Sequence, residues 1–367
     1  MSDPRIKQLA NILVNYSTEV KPGDWVVVMG NAITMPLIKE VVREAHRAGG
    51  HVDTVLTNSD LQEIAYQESS EDQLKWISPV QKMITDDADV IISIIGTENT
   101  RFLTNVDSEL QKIKQAAGAE VFKTFVNRVS LGDVRWVGTQ FPCNAYAQEA
   151  DMSLSDFEDF VYGATFADQP DPIACWQAIQ KKQMRLVEWL AGKKNVVIRG
   201  PNVDLSLSVE GRPFMNGDGK KNMPCGEIYT SPVENSANGW INFTYPTMQG
   251  GREIDGVKLK FEDGRIIQAS AKKNEEYLLQ TLDTDEGARY LGEFAIGTNF
   301  GIQRFTKSIL YDEKIGGTFH VAVGRGFPEA KGVNQSAVHW DMICDMRQDS
   351  EILVDGELFY KNGEFMV

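Results

Sequence analysis

Two textures of hydrophobic patterning, meeting near residue 192, limit what this chain can fold into. Before that point, short aliphatic runs alternate with segments of helical length. Residues 25–30 (WVVVMG) follow the turn signal Lys21-Pro22-Gly23-Asp24 and read as a strand. Residues 33–48 then place Leu37, Ile38, Val41, Val42 and Ala45 at helical spacing and close on Gly49-Gly50. The same rhythm predicts a strand at 51–57, a helix at 71–85, a strand at 89–96 (DVIISIIG), a helix at 106–117 and a strand at 121–126. Helical patterns at 153–163 and 171–192 complete this part. Strands that are aliphatic along their whole length are buried on both faces, and their alternation with helices implies a doubly wound parallel sheet.

After Gly192 the runs become short, β-branched and alternating (NVVIRG, DLSLSVEG, GWINFTY, GVKLKFEDGRII), with Gly, Asn and Asp between them. The residues EDGR at 262–265 predict a hairpin turn between strands at 257–261 and 266–269, and a helix is expected near 274–291. The fold class expected is therefore α/β, with an N-terminal doubly wound parallel-sheet domain over 1–192. A strand-rich α+β domain over 193–367 follows it.

Composition narrows the function. Of 367 residues, 42% are hydrophobic and 24% charged, a balance that suits a folded globular protein. The formal net charge of -15 repels phosphate backbones and anionic lipid, so neither nucleic acid nor a membrane is an expected partner. The first twenty residues read as an amphipathic helix without the basic start and apolar core of a signal peptide. Cys143, Cys175, Cys225 and Cys344 are widely spaced with no CxxC pair, which predicts reduced thiols in a cytoplasmic protein. The first strand ends in MGNAIT, which lacks the glycine spacing of a dinucleotide or phosphate-binding loop.

The residue types that carry metal chemistry gather in the second half. Of four histidines, His46 sits late in a helix and His51 opens a strand, positions that suit surface residues. In residues 318–324 (TFHVAVG), alternation puts Phe319, Val321 and Val323 on one face and leaves His320 on the other, beside Ala322 and Gly324. Residues 337–341 (AVHWD) hold an H-x-D pair, His339 and Asp341, which an extended backbone projects to one side. Three acids stand in apolar settings nearby: Glu227 after Gly226, Glu293 within YLGEFAI, and Glu313 just ahead of His320. Two imidazoles and four carboxylates suit a pair of divalent ions sharing a carboxylate. The plainer reading makes some of these glutamates ion-pair partners of Arg289, Lys314 or Arg325, most readily for Glu313.

The segments GRPFMNGDGKKNMPCGEIYTSPVENSANG, LGEFAIGTN, LYDEKIGGTFHVAVG and NQSAVHWDMI together resemble the thermophilic-type metallo-aminopeptidases, family M29. The resemblance spans most of the chain and is strongest from about 200 to 345. It implies a homodimeric exopeptidase acting on short peptides with two divalent ions such as zinc, cobalt or manganese. By position, Glu227, Glu293, Glu313, His320, His339 and Asp341 match the family's metal-binding motifs. Glu293 is the candidate bridging ligand and proton carrier, its apolar surroundings being expected to raise its pKa. One position departs: seven residues after His320, where the family carries a catalytic tyrosine, stands Phe327. Losing one oxyanion donor costs ~100–1000-fold in turnover, and Tyr229, Tyr245 and Tyr311 are the phenols that could replace it. Two rivals remain at this point. His320, His339 and Asp341 alone form the 2-His-1-carboxylate set of a mononuclear Fe(II) ring-opening dioxygenase of the dihydroxypyridine type, which also resembles this family. A metal-binding protein of weak activity is the other.

Overall fold

A computed structural model describes residues 3–367, which divide into two compact units: the residues up to Ile173 with Gly219–Pro224, and Ala174–Asp218 with Cys225–Val367. The change of texture near 192 coincides with the end of the helix Pro172–Leu190, but the units part earlier, at Ile173, and a short later segment returns to the first.

In the first unit, five parallel strands run in the order His51–Thr57, Trp25–Asn31, Val90–Ile95, Arg135–Gln140 and Asn222–Met223. The central strands are sealed on both faces, as their unbroken aliphatic sequence requires. Val26, Val28, Val90, Ile92 and Val137 are buried on one side, where the helix Met35–Arg47 packs with Leu37, Ile38 and Val41 inward. On the other side Val27 and Ile91 join Ile84 and Ala88 of the helix region 79–88, with Phe125 and Val129 against them.

Those last two residues correct the expected strand at 121–126. The segment is part of a helix, Ala119–Leu131, bracketed by Gly118 and by Gly132, whose φ of 76° ends it. A six-residue segment with five apolar or β-branched residues fits either period. The i, i+4 pair Phe125/Val129 decides it, Phe125 meeting Trp136 edge-on at 5.8 Å between ring centroids. The strand itself lies further on, at Arg135–Gln140. The helix expected over 71–85 is two helices, Glu71–Lys75 and Pro79–Asp87, because Pro79 cannot continue the first and Ser78 caps the second by accepting from the Val80 amide.

The second unit stacks two antiparallel sheets on one core. An eight-stranded sheet orders Arg265–Ser270, Lys258–Glu262, Asn238–Asn242, Val203–Ser208, Asn195–Gly200, Glu351–Val354, Glu357–Lys361 and Glu364–Phe365. Its first hairpin turns on Asp263 and Gly264, whose φ values of 47° and 81° are the two left-handed conformations a type I′ turn needs. The second sheet orders His339–Asp345, Thr318–Gly324, Leu291–Gly297, Glu227–Thr230 and Met215–Gly217. Ile198, Val203 and Leu205 of the first sheet share a core with Ile228, Phe294, Phe319, Val321 and Trp340 of the second. The helix expected at 274–291 is shorter, Glu275–Leu282, followed by one tight turn at Glu286–Arg289 that Asp285 caps. All four cysteines are free thiols, and no helix among the described residues is long and apolar enough to cross a membrane.

Candidate metal centre

Alternation sorts the five-stranded sheet into a core face and a site face. With Phe319, Val321, Trp340, Met342, Phe294 and Ile228 in the core, the opposite face receives His320 and Ala322, His339 and Asp341, Glu293 and Ala295, and Glu227 and Tyr229. Pairing aligns them in rows. Ala322 lies opposite both Glu293 and Asp341, so a methyl group is all that separates two carboxylates across three strands.

Glu293 reaches this face through an irregularity. Leu291 opposes Val323 and Glu293 opposes Ala322, which leaves Gly292 as an extra residue in a bulge. Leu291 therefore joins the core while Glu293, two residues on, faces the other way. No side chain fits at the bulge, since a Cβ on Gly292 would lie 2.1 Å from the Arg325 carbonyl oxygen.

The four side chains His320, His339, Glu293 and Glu227 and the neighbouring Asp341 then converge. His320 Nε2 lies 3.4 Å from Glu227 Oε2 and 3.6 Å from Glu293 Oε1. His339 Nε2 lies 3.4 Å from Glu293 Oε2 and 3.7 Å from Asp341 Oδ2. Glu313 comes from outside the sheet, at the end of the short helix Ile309–Asp312, and offers an oxygen within 4.8 Å of donor atoms of His320 and Asp341. The six residues thus frame three overlapping triads: Glu227, Glu293 and His320; Glu293, His339 and Asp341; Glu313, His320 and Asp341.

The spacing fits a cation better than direct bonding. Four ligands held at about 2.1 Å around a tetrahedral zinc stand about 3.4 Å from one another. Unpaired polar atoms agree with that. Glu227 Oε2, Asp341 Oδ1 and both ring nitrogens of His320 are buried without a hydrogen-bond partner, an arrangement that is costly unless something charged sits among them. His339 is already oriented. Its Nδ1 lies 2.8 Å from the Arg325 carbonyl, so Nδ1–H donates there and the Nε2 lone pair faces Glu293 and Asp341.

Electrostatics without an ion show the strain of this crowding. Burial raises the Glu227 and Asp341 carboxyls above their ordinary range. Burial also pushes on Glu293, but the imidazoles of His320 and His339 outweigh it and hold that carboxyl down to about 2. The upward shift expected for Glu293 is therefore overturned, because its surroundings are apolar in sequence but contain two histidines in space. His339 is opposed by burial and raised nonetheless, to about 9, by Glu293 and Asp341.

The remaining expected residues sort themselves. Phe327 packs edge-on against His339, ring centroids 5.1 Å apart, and against Tyr229 at 5.2 Å. Tyr229 shares the site face with Glu227, and burial lifts its phenol so that it stays protonated. Tyr245 is engaged elsewhere, accepting from Arg347 at 2.6 Å, and Tyr311 is fully buried. His46 and His51 are exposed and belong to the first unit. The ion-pair reading of Glu313 holds in part, since Lys314 bonds it; Arg289 pairs instead with Asp283, and Arg325 with the Ser336 carbonyl. Sequence reasoning passed over Gln183. Buried on the helix Pro172–Leu190, its amide donates to the Gly217 carbonyl at 2.9 Å, the Glu227 carbonyl at 3.1 Å and Thr298 Oγ1 at 3.0 Å, fixing the backbone from which Glu227 projects. A lone glutamine in an amphipathic helix carries no signal of such a role.

The sequence profile of the thermophilic metalloprotease family (M29) matches residues 2–365, and the chain belongs to that family. It is a metallopeptidase, hence a hydrolase. It is 24% identical to Aminopeptidase 2 of Geobacillus stearothermophilus over 96% of this chain and 94% of that one. With Aminopeptidase T of Thermus thermophilus the identity is 25%, over 98% and 95%, and with Aminopeptidase AmpS of Bacillus subtilis 24%, over 98% of each. The solved structure of wild-type AmpT from Thermus thermophilus superposes with a TM-score of 0.87, covering 99% of both chains at 21% identity, which establishes the shared fold. None of these relatives favours the ring-opening dioxygenase.

Proposed function

We propose that this protein is a metal-dependent aminopeptidase that removes N-terminal residues from short peptides. The observation that carries the reading is the convergence of Glu227, Glu293, Glu313, His320, His339 and Asp341 with buried, unpartnered donor atoms among them. These six would hold two divalent ions, zinc, cobalt or manganese, with Glu293 the candidate shared ligand because its two oxygens face different histidines. When bound, such ions supply Lewis acidity, polarising the scissile carbonyl and lowering the pKa of water toward neutrality.

The chain's own groups do the rest. Glu293, with an oxygen toward each histidine, can take the proton of the attacking water and pass it to the leaving amine. Arg325, through its carbonyl, keeps the His339 ring from turning. Phe327 and the Tyr229 ring close one side against water, and the Tyr229 hydroxyl is the phenol on the site face that can donate to a developing oxyanion. The acids of the centre give a free peptide α-amine its partner, which accounts for a preference for chain ends. The free thiols fit a reducing, cytoplasmic setting, and a homodimer is what the family resemblance implies.

The test is metal analysis joined to hydrolysis of aminoacyl-p-nitroanilides with Zn²⁺, Co²⁺ and Mn²⁺, in the wild type and in Glu293→Gln. Two ions per chain and a loss of ~100-fold or more in kcat for the variant are expected. Near-normal turnover by Glu293→Gln with metal retained would remove Glu293 from the reaction. Silence of the wild type with all three metals would leave a metal-binding protein of weak activity.

A further inference from the structure

One charged side chain beside the centre has no part in the reaction described above. Lys314 follows Glu313, and its side chain is 0% exposed. Its ammonium bonds Glu313 Oε1 and lies 3.9 Å from Glu227 Oε1. A lysine stripped of water to this degree needs anionic partners, and the two carboxylates within 4 Å of it are both candidate metal ligands.

The two oxygens of Glu227 consequently keep different company. Oε1 faces Lys314 and, at 3.8 Å, the Cys225 sulfur, whereas Oε2 faces His320 and accepts no hydrogen bond. At the other end of the centre the neighbours of Glu293 are His320 and His339, and Asp341 lies 3.7 Å from His339. Those partners are imidazoles, which can themselves ligate a metal. An ammonium cannot. It can only occupy the space and the charge that a metal ion would otherwise take.

We propose that Lys314 is a resident cation of the centre, competing with a divalent ion for Glu313 and Glu227. The two cation positions are then unequal. The one framed by Glu293, His339 and Asp341 binds tightly, and the one to which Glu313 and Glu227 contribute binds weakly and exchanges. An ion entering the second position must take carboxylate oxygen from an ammonium that has no water to turn to, and must sit beside a like charge in a site that screens poorly. The inference rests on the metal-centre reading above and adds to it an order of filling.

The test titrates metal-stripped protein with Zn²⁺ in a calorimeter, wild type against Lys314→Met, which keeps an unbranched chain and removes the charge. In the wild type the second equivalent is expected to bind at least about tenfold more weakly than the first. In Lys314→Met the second equivalent should tighten at least about tenfold while the first moves by less than about threefold. A residue needed only for packing would leave the second site unchanged or weaken it, and either result overturns the proposal. Should Lys314→Met fail to fold without metal, zinc-loaded wild type is challenged with chelators of rising strength. Release of one ion well before the other supports the proposal, and release of both together sinks it. Wild-type protein that takes up no zinc at all would defeat the metal centre itself, an outcome told apart because no variant is needed to see it.

Discussion

Between Glu293 and Asp341 lies the Ala322 methyl, fully buried and facing the centre. Its smallness leaves room for a cation between the two carboxylates. Ala322→Val adds two methyl groups there; it is expected to cost about 1–3 kcal/mol by overpacking and to weaken metal binding at least about tenfold, measured by thermal melting and by metal titration. Ala322→Gly should spare binding. His339 sets the pH dependence. In the metal-free protein its pKa stands at about 9, above the ordinary value of 6.5, so its contribution to stability is complete below 6.5 and disappears as pH rises through 9. Glu293, held down to about 2, works in the opposite sense: its contribution is present above 4.5 and lost as pH falls through 2. Metal must displace the His339 proton, so apparent affinity should climb from pH 6.5 to about 9 and then level off. An affinity flat across that interval would show that His339 is no ligand. At Phe327, restoring a phenol with Phe327→Tyr is expected to raise kcat on aminoacyl-p-nitroanilides by ~10-fold or more with little change in KM. Five of the six candidate ligands stand out in the sequence because strand alternation sets polar residues among apolar neighbours, whereas Glu313, at a helix end, was singled out only by its place ahead of His320 and by the family resemblance. Lys314 was visible only as a possible ion-pair partner, since nothing in the run DEK tells a surface lysine from one without solvent.

At the scale of elements, the bulge at Gly292 decides whether Glu293 faces the centre. Gly292→Ala would press a methyl group against the Arg325 carbonyl, at a cost of roughly 2–3 kcal/mol. The strand would shift to relieve it, so a lowered melting temperature should be accompanied by lost metal affinity. A variant that melts lower but binds zinc normally would show that the bulge serves packing alone. The alternation of the second half could be read from sequence, the bulge could not, because a single glycine in a strand signals several irregularities equally. In the first half, Val27, Ile91 and the helix Met35–Arg47 followed from periodicity, while residues 121–126 did not. A six-residue segment of mostly apolar and β-branched residues fits a strand or a helix, and only Phe125 and Val129 meeting the same core settle it. Pro79 was a legible break that the reading of 71–85 as one helix passed over.

For the whole molecule, all six candidate ligands belong to the second unit. Removing metal should therefore loosen that unit selectively. Hydrogen exchange in the strands Leu291–Gly297, Thr318–Gly324 and His339–Asp345 is expected to quicken on chelation, while Trp25–Asn31 and Val90–Ile95 stay protected. With free metal at about 100 times its dissociation constant, the stabilisation lost is about 2.7 kcal/mol. Equal quickening in both sets of strands would contradict a centre confined to one unit.

The short strand Asn222–Met223, which completes the parallel sheet beside Arg135–Gln140, comes in sequence only after the 45 residues Ala174–Asp218 of the other unit. On a ribosome, a nascent chain that has reached Leu190 has every other strand of that sheet but still presents a bare margin along Arg135–Gln140. The first unit is complete only after part of the second has been made, and no single scission yields both intact.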